Sequence, residues 1–310
     1  MALSELDSIS IACIAFYTPS LFIASYLAYI HGYKRNAGWL YLVIFSFVRL
    51  MTASFQLASV YSDPGNINLP IGTQTLLGIG VSALVLTMLG LLSRVLESID
   101  FGGGNTFVKA KHVRWVQVFV IIGMILGIVG GALSGSYLST GYTIAVETKV
   151  GLGFMIAGFA IVVISTVLTA FQVKKVEKGE KRLLLAVGVA IPFALVRIVF
   201  SCMVVFGNNS DFSAFGGSTK YADYLLGMAI IMEMVCVVIF EGVGLTLRRR
   251  SKEESRRVGD WVGQGAKGGL LSGRLAGLLK RGRERRSRRR ERWAGRMGVN
   301  GGHQIQQEAV

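Results

Sequence analysis

FSFVRLMTASFQ, residues 45–56, is apolar on both flanks and carries Arg49 near its centre. An arginine stays charged at any ordinary pH, and a charge at the middle of a membrane helix costs about 2.5 kcal/mol or more. The run around it, residues 39–61, matches the roughly 20 residues that a helix needs to cross about 30 Å of hydrocarbon. FALVRIV, residues 193–199, repeats the arrangement with Arg197.

Working outward, the same length of apolar sequence recurs. The 310 residues are 52% hydrophobic with a mean hydropathy of +0.53 and four prolines, and no run alternates as a half-buried strand does. Seven segments emerge, at about 8–30, 39–61, 69–93, 113–134, 150–173, 183–206 and 222–247. A bilayer core offers no water to an open sheet edge, so each is expected to be a helix. The fold class is therefore all-α: a polytopic bundle of seven transmembrane helices over residues 1–247, followed by a tail over 248–310. The start, MALSELDS, is acidic where a signal peptide is basic, so the first segment is read as a retained span.

Lys and Arg set the expected orientation. They are absent from the first seven residues and from the loop SDPGNINLP, and number one each in the loops holding Lys149 and Lys220. The alternate loops carry Lys34 and Arg35; Arg94, Lys109, Lys111 and Arg114; and Lys174, Lys175, Lys178, Lys181 and Arg182. The alternation places the N-terminus outside and the C-terminus in the cytosol. It does not distinguish the plasma membrane from an internal one.

The tail holds 18 Lys or Arg against 6 Asp or Glu, which is +12 of the chain's +15. A block such as RGRERRSRRRER (281–292) buries no core and is expected to be disordered. Beside an anionic leaflet each basic residue gains about 1 kcal/mol, so contact with anionic lipid is the leading reading. A trafficking or partner motif is the alternative. Nucleic acid is disfavoured, because no aromatic platform accompanies the charge. LLSGRLAGLLKR (270–281) sets Leu271, Leu275, Leu278 and Leu279 on one helical face, as an interfacial helix would, though Gly273 and Gly277 weaken it.

Within the spans four strong charges stand out: Arg49, Arg197, Glu233 and Glu241. Buried charges persist when paired. Arg49 and Glu233 fall near the midpoints of their spans, Arg197 about 4 Å outward, and Glu241 about 12 Å toward the cytosol from Glu233. Arg49, Arg197 and Glu233 are thus expected to share a polar cluster, with Arg49 the nearer partner of the glutamate. Such a cluster either locks helices in register or lines a cavity for a headgroup, ion or proton. Gly123, Gly127, Gly131 and Gly135 give the fourth segment a smooth flank, for packing in the bundle or, alternatively, a homodimer seam. Pro19 and Pro192 lie inside spans and are expected to kink them, Pro192 freeing a carbonyl one turn from Arg197. Cys13, Cys202 and Cys236 read as small packing residues, and the sequon Asn208-Asn209-Ser210 sits too close to a helix end to be occupied.

NAGWLYLVIFSFVRLMTASFQLA, GIGVSALVLTMLGLLSRV and IPFALVRIVFSCMVVF, with Glu233, resemble a fungal family of seven-helix integral membrane proteins catalogued only as a domain of unknown function. The resemblance covers about residues 5–247. Its pattern falls on Arg49, Leu89-Gly90-Leu91-Leu92, Arg197 and Glu233, but Ser93-Arg94 stand where His-Glu is expected. It implies a fold and a membrane, and no activity.

Enzyme classes fit poorly. The three histidines, His31, His112 and His303, fall in expected loops or the tail, away from ligand depth for zinc or haem. The last span has no lysine for a Schiff base, and no Ser/His/Asp set assembles. No cofactor or metal is implied. Transport or handling of a lipid or small molecule through the midplane cluster is the leading expectation. A seven-helix sensor signalling through its cytosolic loops and tail is the alternative, without Asp-Arg-Tyr or Asn-Pro-x-x-Tyr motifs.

Overall fold

The computed structural model describes residues 5–31, 37–62, 66, 68–101, 110–136, 144–172, 178–207, 210–212 and 220–247. The chain divides at Arg249–Arg250, and the second unit lies wholly outside the described residues. So do the basic tail with its leucine-rich face, and the asparagines of the sequon.

The described residues form α1 (Glu5–His31), α2 (Ala37–Tyr61), α3 (Asn68–Phe101), α4 (Ala110–Ser136), α5 (Val146–Phe171), α6 (Lys178–Phe206) and α7 (Lys220–Thr246), with a 3-10 turn at Ser210–Phe212. All seven are long and apolar enough to cross a membrane. Odd-numbered helices start on the side of the chain's N-terminus (the N side) and even-numbered ones end there. The opposite end is the C side.

Neighbours in sequence pack as neighbours in space, and α7 closes the ring against α6 and α1. α3 touches α2, α4, α5 and α6, and 78% of its most apolar window is buried against 22% for α4. α3 is therefore the axis of the bundle and α4 a lipid-facing wall, with Trp115, Phe119, Ile122 and Ile125 exposed. An apolar surface is the stable one against hydrocarbon, so this exposure is what a spanning helix should show.

Three features differ from the sequence expectation. α3 continues to Phe101, eight residues past the expected end at 93, because Arg94 and Glu97 are buried rather than set in a loop. α7 contains a π-helical turn at Leu225–Ile230 between α-helical parts Lys220–Tyr224 and Ile231–Thr246. Such wide turns cluster at functional sites, and this one ends three residues before Glu233. His31 and His112 lie in helices rather than loops: His31 stacks on Trp39 at 5.3 Å, and His112 is exposed at the start of α4.

Two glycines of the α4 flank pack tightly within the bundle. A Cβ on Gly123 would lie 2.6 Å from that of Phe154 on α5, and one on Gly131 2.5 Å from the Thr75 hydroxyl on α3. At Gly123 and Gly131 the close approach predicted for this flank is thus made to helices of the same bundle. α1 and α6 run unbroken through Pro19 and Pro192.

Candidate functional site

Arg49 on α2, Arg197 on α6 and Glu233 on α7 meet at mid-bundle. All three are buried, with 3%, 2% and 0% of their side chains exposed. Glu233 uses both oxygens: Oε2 pairs with Arg49 Nη2, and Oε1 accepts from Arg197 Nε at 2.5 Å. Arg197 fills its remaining nitrogens by donating to the Ser201 hydroxyl at 2.6 Å and to the Leu77 carbonyl at 3.0 Å. That acceptor comes from α3, not from the carbonyl that Pro192 frees. Phe45 and Phe200 lie under the two guanidinium groups, 5.8 Å and 5.6 Å from ring centre to Cζ, adding cation–π attraction.

Arg49 is less fully engaged. Its Nε is buried without a hydrogen-bond partner among the described residues. Gly80 makes room for it: a Cβ there would lie 3.3 Å from both Cζ and Nε of Arg49. Any larger residue at 80 would therefore press on the guanidinium. Sequence reading missed Gly80, whose sign was the doublet Gly78-Ile79-Gly80 in an otherwise bulky span.

A cavity of about 270 Å³ opens on Arg49. Its walls come from the N-side halves of α1, α2, α3 and α7. On α2, Arg49, Thr52, Gln56 and Ser59 all line it, at spacings of three and four that keep them on one face. This stripe runs roughly 15 Å from midplane to the N-side end. Three of its members, Arg49, Thr52 and Gln56, stand in the stretch 45–56, but their common face emerges only once Arg49 is known to point inward. Across from it, Gln74 donates to the Tyr221 hydroxyl at 2.9 Å, joining α3 to α7. A second, more apolar cavity of about 120 Å³ lies beyond Leu77, among α3, α4, α5 and α6, with Arg197 and Ser201 in its wall.

The C-side half is tied shut instead. Arg94 Nε donates to Glu180 Oε1 at 3.0 Å, linking α3 to α6, and Arg114 pairs with Glu97, linking α4 to α3. Glu241 stands apart from the midplane cluster, on the C side of it. It accepts from the Ser20 hydroxyl at 2.6 Å, and Ser20 lies 3.3 Å from the Ser46 hydroxyl, so the contact joins α7 to α1 and α2. Among the described residues no three His, Cys, Asp or Glu side chains converge as metal ligands. The cysteines are free thiols, Cys236 Sγ reaching the Ala190 carbonyl at 3.8 Å.

The chain belongs to the family described as "Domain of unknown function (DUF7702)", which matches residues 3–250. No curated protein and no solved structure matches it. Arg49, Arg197 and Glu233 all fall inside the matched region.

Proposed function

We propose that this member of a family without an assigned activity binds a lipid headgroup or small molecule at Arg49, Arg197 and Glu233 and moves it across the membrane. One observation carries the reading: a polar-striped cavity runs from the N side down to a buried charge cluster. The C side below it is closed by charge pairs and hydrogen bonds. A structural lock needs no path to its charges. A transport site needs one on each side in turn, and irregular helix beside the site, here Leu225–Ile230, is a usual means of making it.

The N side is taken as outward and the tail as cytosolic, held against anionic lipid, in keeping with the alternating Lys and Arg of the loops. The chain is taken to be of fungal origin and to have no enzyme activity. Protease added outside intact cells should leave a tag after Val310 intact; digestion of the tag would reverse the orientation.

Reconstituted vesicles test the function. Fluorescent headgroup-labelled lipids and radiolabelled solutes should cross faster with the protein than without it, and Arg49→Met should abolish the difference. If nothing on such a panel moves while a ligand still changes the protein's conformation, the sensor reading replaces transport.

A further inference from the structure

The midplane cluster is not electrically closed. Two arginines share one glutamate, and all three groups are at least 97% buried. One positive charge is therefore left over at the depth where charge is most costly. Glu233 has no oxygen to spare, and the three Arg197 nitrogens are engaged by Glu233, Ser201 and Leu77. The surplus falls to Arg49, whose unpartnered Nε belongs to a side chain lining the 270 Å³ cavity. Asp7, near the N-side end of α1, accepts from the Tyr61 hydroxyl at 3.2 Å and is not part of the cavity wall.

The lining groups narrow the chemistry further. The Ser10, Thr52, Ser59 and Thr73 hydroxyls each donate to a carbonyl of their own helix, at 2.6–3.0 Å. Their hydrogens are committed. Arg49, with Gln56 two turns above it on the same face, supplies donors to the cavity. A guanidinium edge with an amide above it suits planar or tetrahedral oxygens bearing one negative charge. A cation entering here would meet the surplus charge, and a dianion would reverse it. The volume lies just under the roughly 300–1,000 Å³ of drug-sized sites, so it holds a headgroup or a small solute rather than a whole lipid.

We infer that this cavity takes a singly charged oxyanion, a carboxylate or a phosphate monoanion, seated on the Arg49 guanidinium. The inference rests on the reading of the cluster as a binding site. The oxyanion arrives either as a free solute or as the headgroup of a lipid.

The test is thermal unfolding of the purified full chain in a neutral detergent. It is titrated with sodium butyrate, inorganic phosphate, dioctanoyl phosphatidic acid, butanol and butylammonium. At least one anion should raise Tm with concentration, as a ligand of the folded state must, and butanol and butylammonium should not. Arg49→Met should weaken that anion at least about tenfold, the loss expected on removing a charge-assisted hydrogen bond. Gln56→Leu, which alters no charge and buries no new polar group, should weaken it by a smaller factor. A shift from the phosphatidic acid alone identifies a lipid headgroup, and one from butyrate or phosphate a free solute. An anion shift that survives both substitutions overturns the proposal. If butanol or butylammonium matches the anions and Gln56→Leu removes that shift, the site binds something other than an anion and the transport reading stands. Silence from every probe overturns both.

Discussion

At mid-bundle two arginines divide one glutamate between them, whereas at the C-side end, among the described residues, Arg94 pairs with Glu180 and Arg114 with Glu97. The difference separates two uses of buried charge. Arg94–Glu180 and Arg114–Glu97 match one cation to one anion among the described residues and join neighbouring helices. Arg49, Arg197 and Glu233 are unbalanced among the described residues, and through Arg49 they border a polar-lined cavity. A balanced pair holds helices; an unbalanced cluster costs stability and needs another reason to persist.

The largest expected effect is at the shared anion. Glu233→Met would leave two buried guanidinium groups with no carboxylate between them. Removing one partner of a single buried pair costs about 3–5 kcal/mol, and here one deletion orphans two cations. Loss of a folded, monodisperse protein in detergent is expected. A Glu233→Met protein unfolding within about 1 kcal/mol of wild type would show that the arginines do not depend on it.

The C-side pair comes next. Arg94→Met should cost about 3–5 kcal/mol, and the double variant Arg94→Met with Glu180→Met should recover much of it, since no uncompensated charge then remains. Strictly additive losses in that cycle would break the distinction drawn between the two ends.

How much of this was open to sequence reading depends on the range of each interaction. The spans were legible because hydrophobic length is a local property, and Arg49, Arg197 and Glu233 stood out as charges in apolar runs. Their meeting was readable from depth alone, since two helices crossing one bilayer bring equal depths level. Depth could not rank the two arginines. It favoured Arg49 as the nearer partner, whereas Arg197 has the fuller set of bonds, through Ser201 on its own helix and the Leu77 carbonyl of α3. Nor could it tell that Glu241 meets Ser20 rather than an arginine, because that depends on how helices are rotated. Arg94 reads as a loop charge because hydropathy falls at that point. Its partner Glu180 lies 86 residues away, beyond the reach of any local pattern. The π-turn in α7 likewise leaves no mark in Leu225–Ile230 itself, which reads as ordinary apolar helix.

A smaller effect is expected at Arg114, whose side chain is 43% exposed beside a Glu97 only 3% exposed. Water and salt screen such a pair, so Arg114→Ala should cost about 1 kcal/mol or less, measured by thermal unfolding, and less still at high salt. A loss equal to that of Arg94→Met would mean that exposure does not grade the C-side pairs.

The smallest change in stability is expected where intuition from a lock puts a large one. Arg49→Met leaves Arg197 with Glu233, one cation to one anion, still bonded to Ser201 and Leu77. The variant gives up the attraction between Arg49 and Glu233, but it also removes the repulsion between two guanidinium groups and the cost of burying one of them. Methionine is flexible enough to fill the space against Gly80. Replacing buried charge by a well-packed apolar chain is often neutral or better, so the unfolding free energy should stay within about 1 kcal/mol of wild type or rise. On the proposed function transport should nevertheless be lost, because the group proposed to meet the ligand is gone. Stability kept while function disappears is the mark of a residue retained for its task. A fall of about 3 kcal/mol or more, as in Arg94→Met, would instead make Arg49 a structural tie and erase the contrast between the two ends of the bundle.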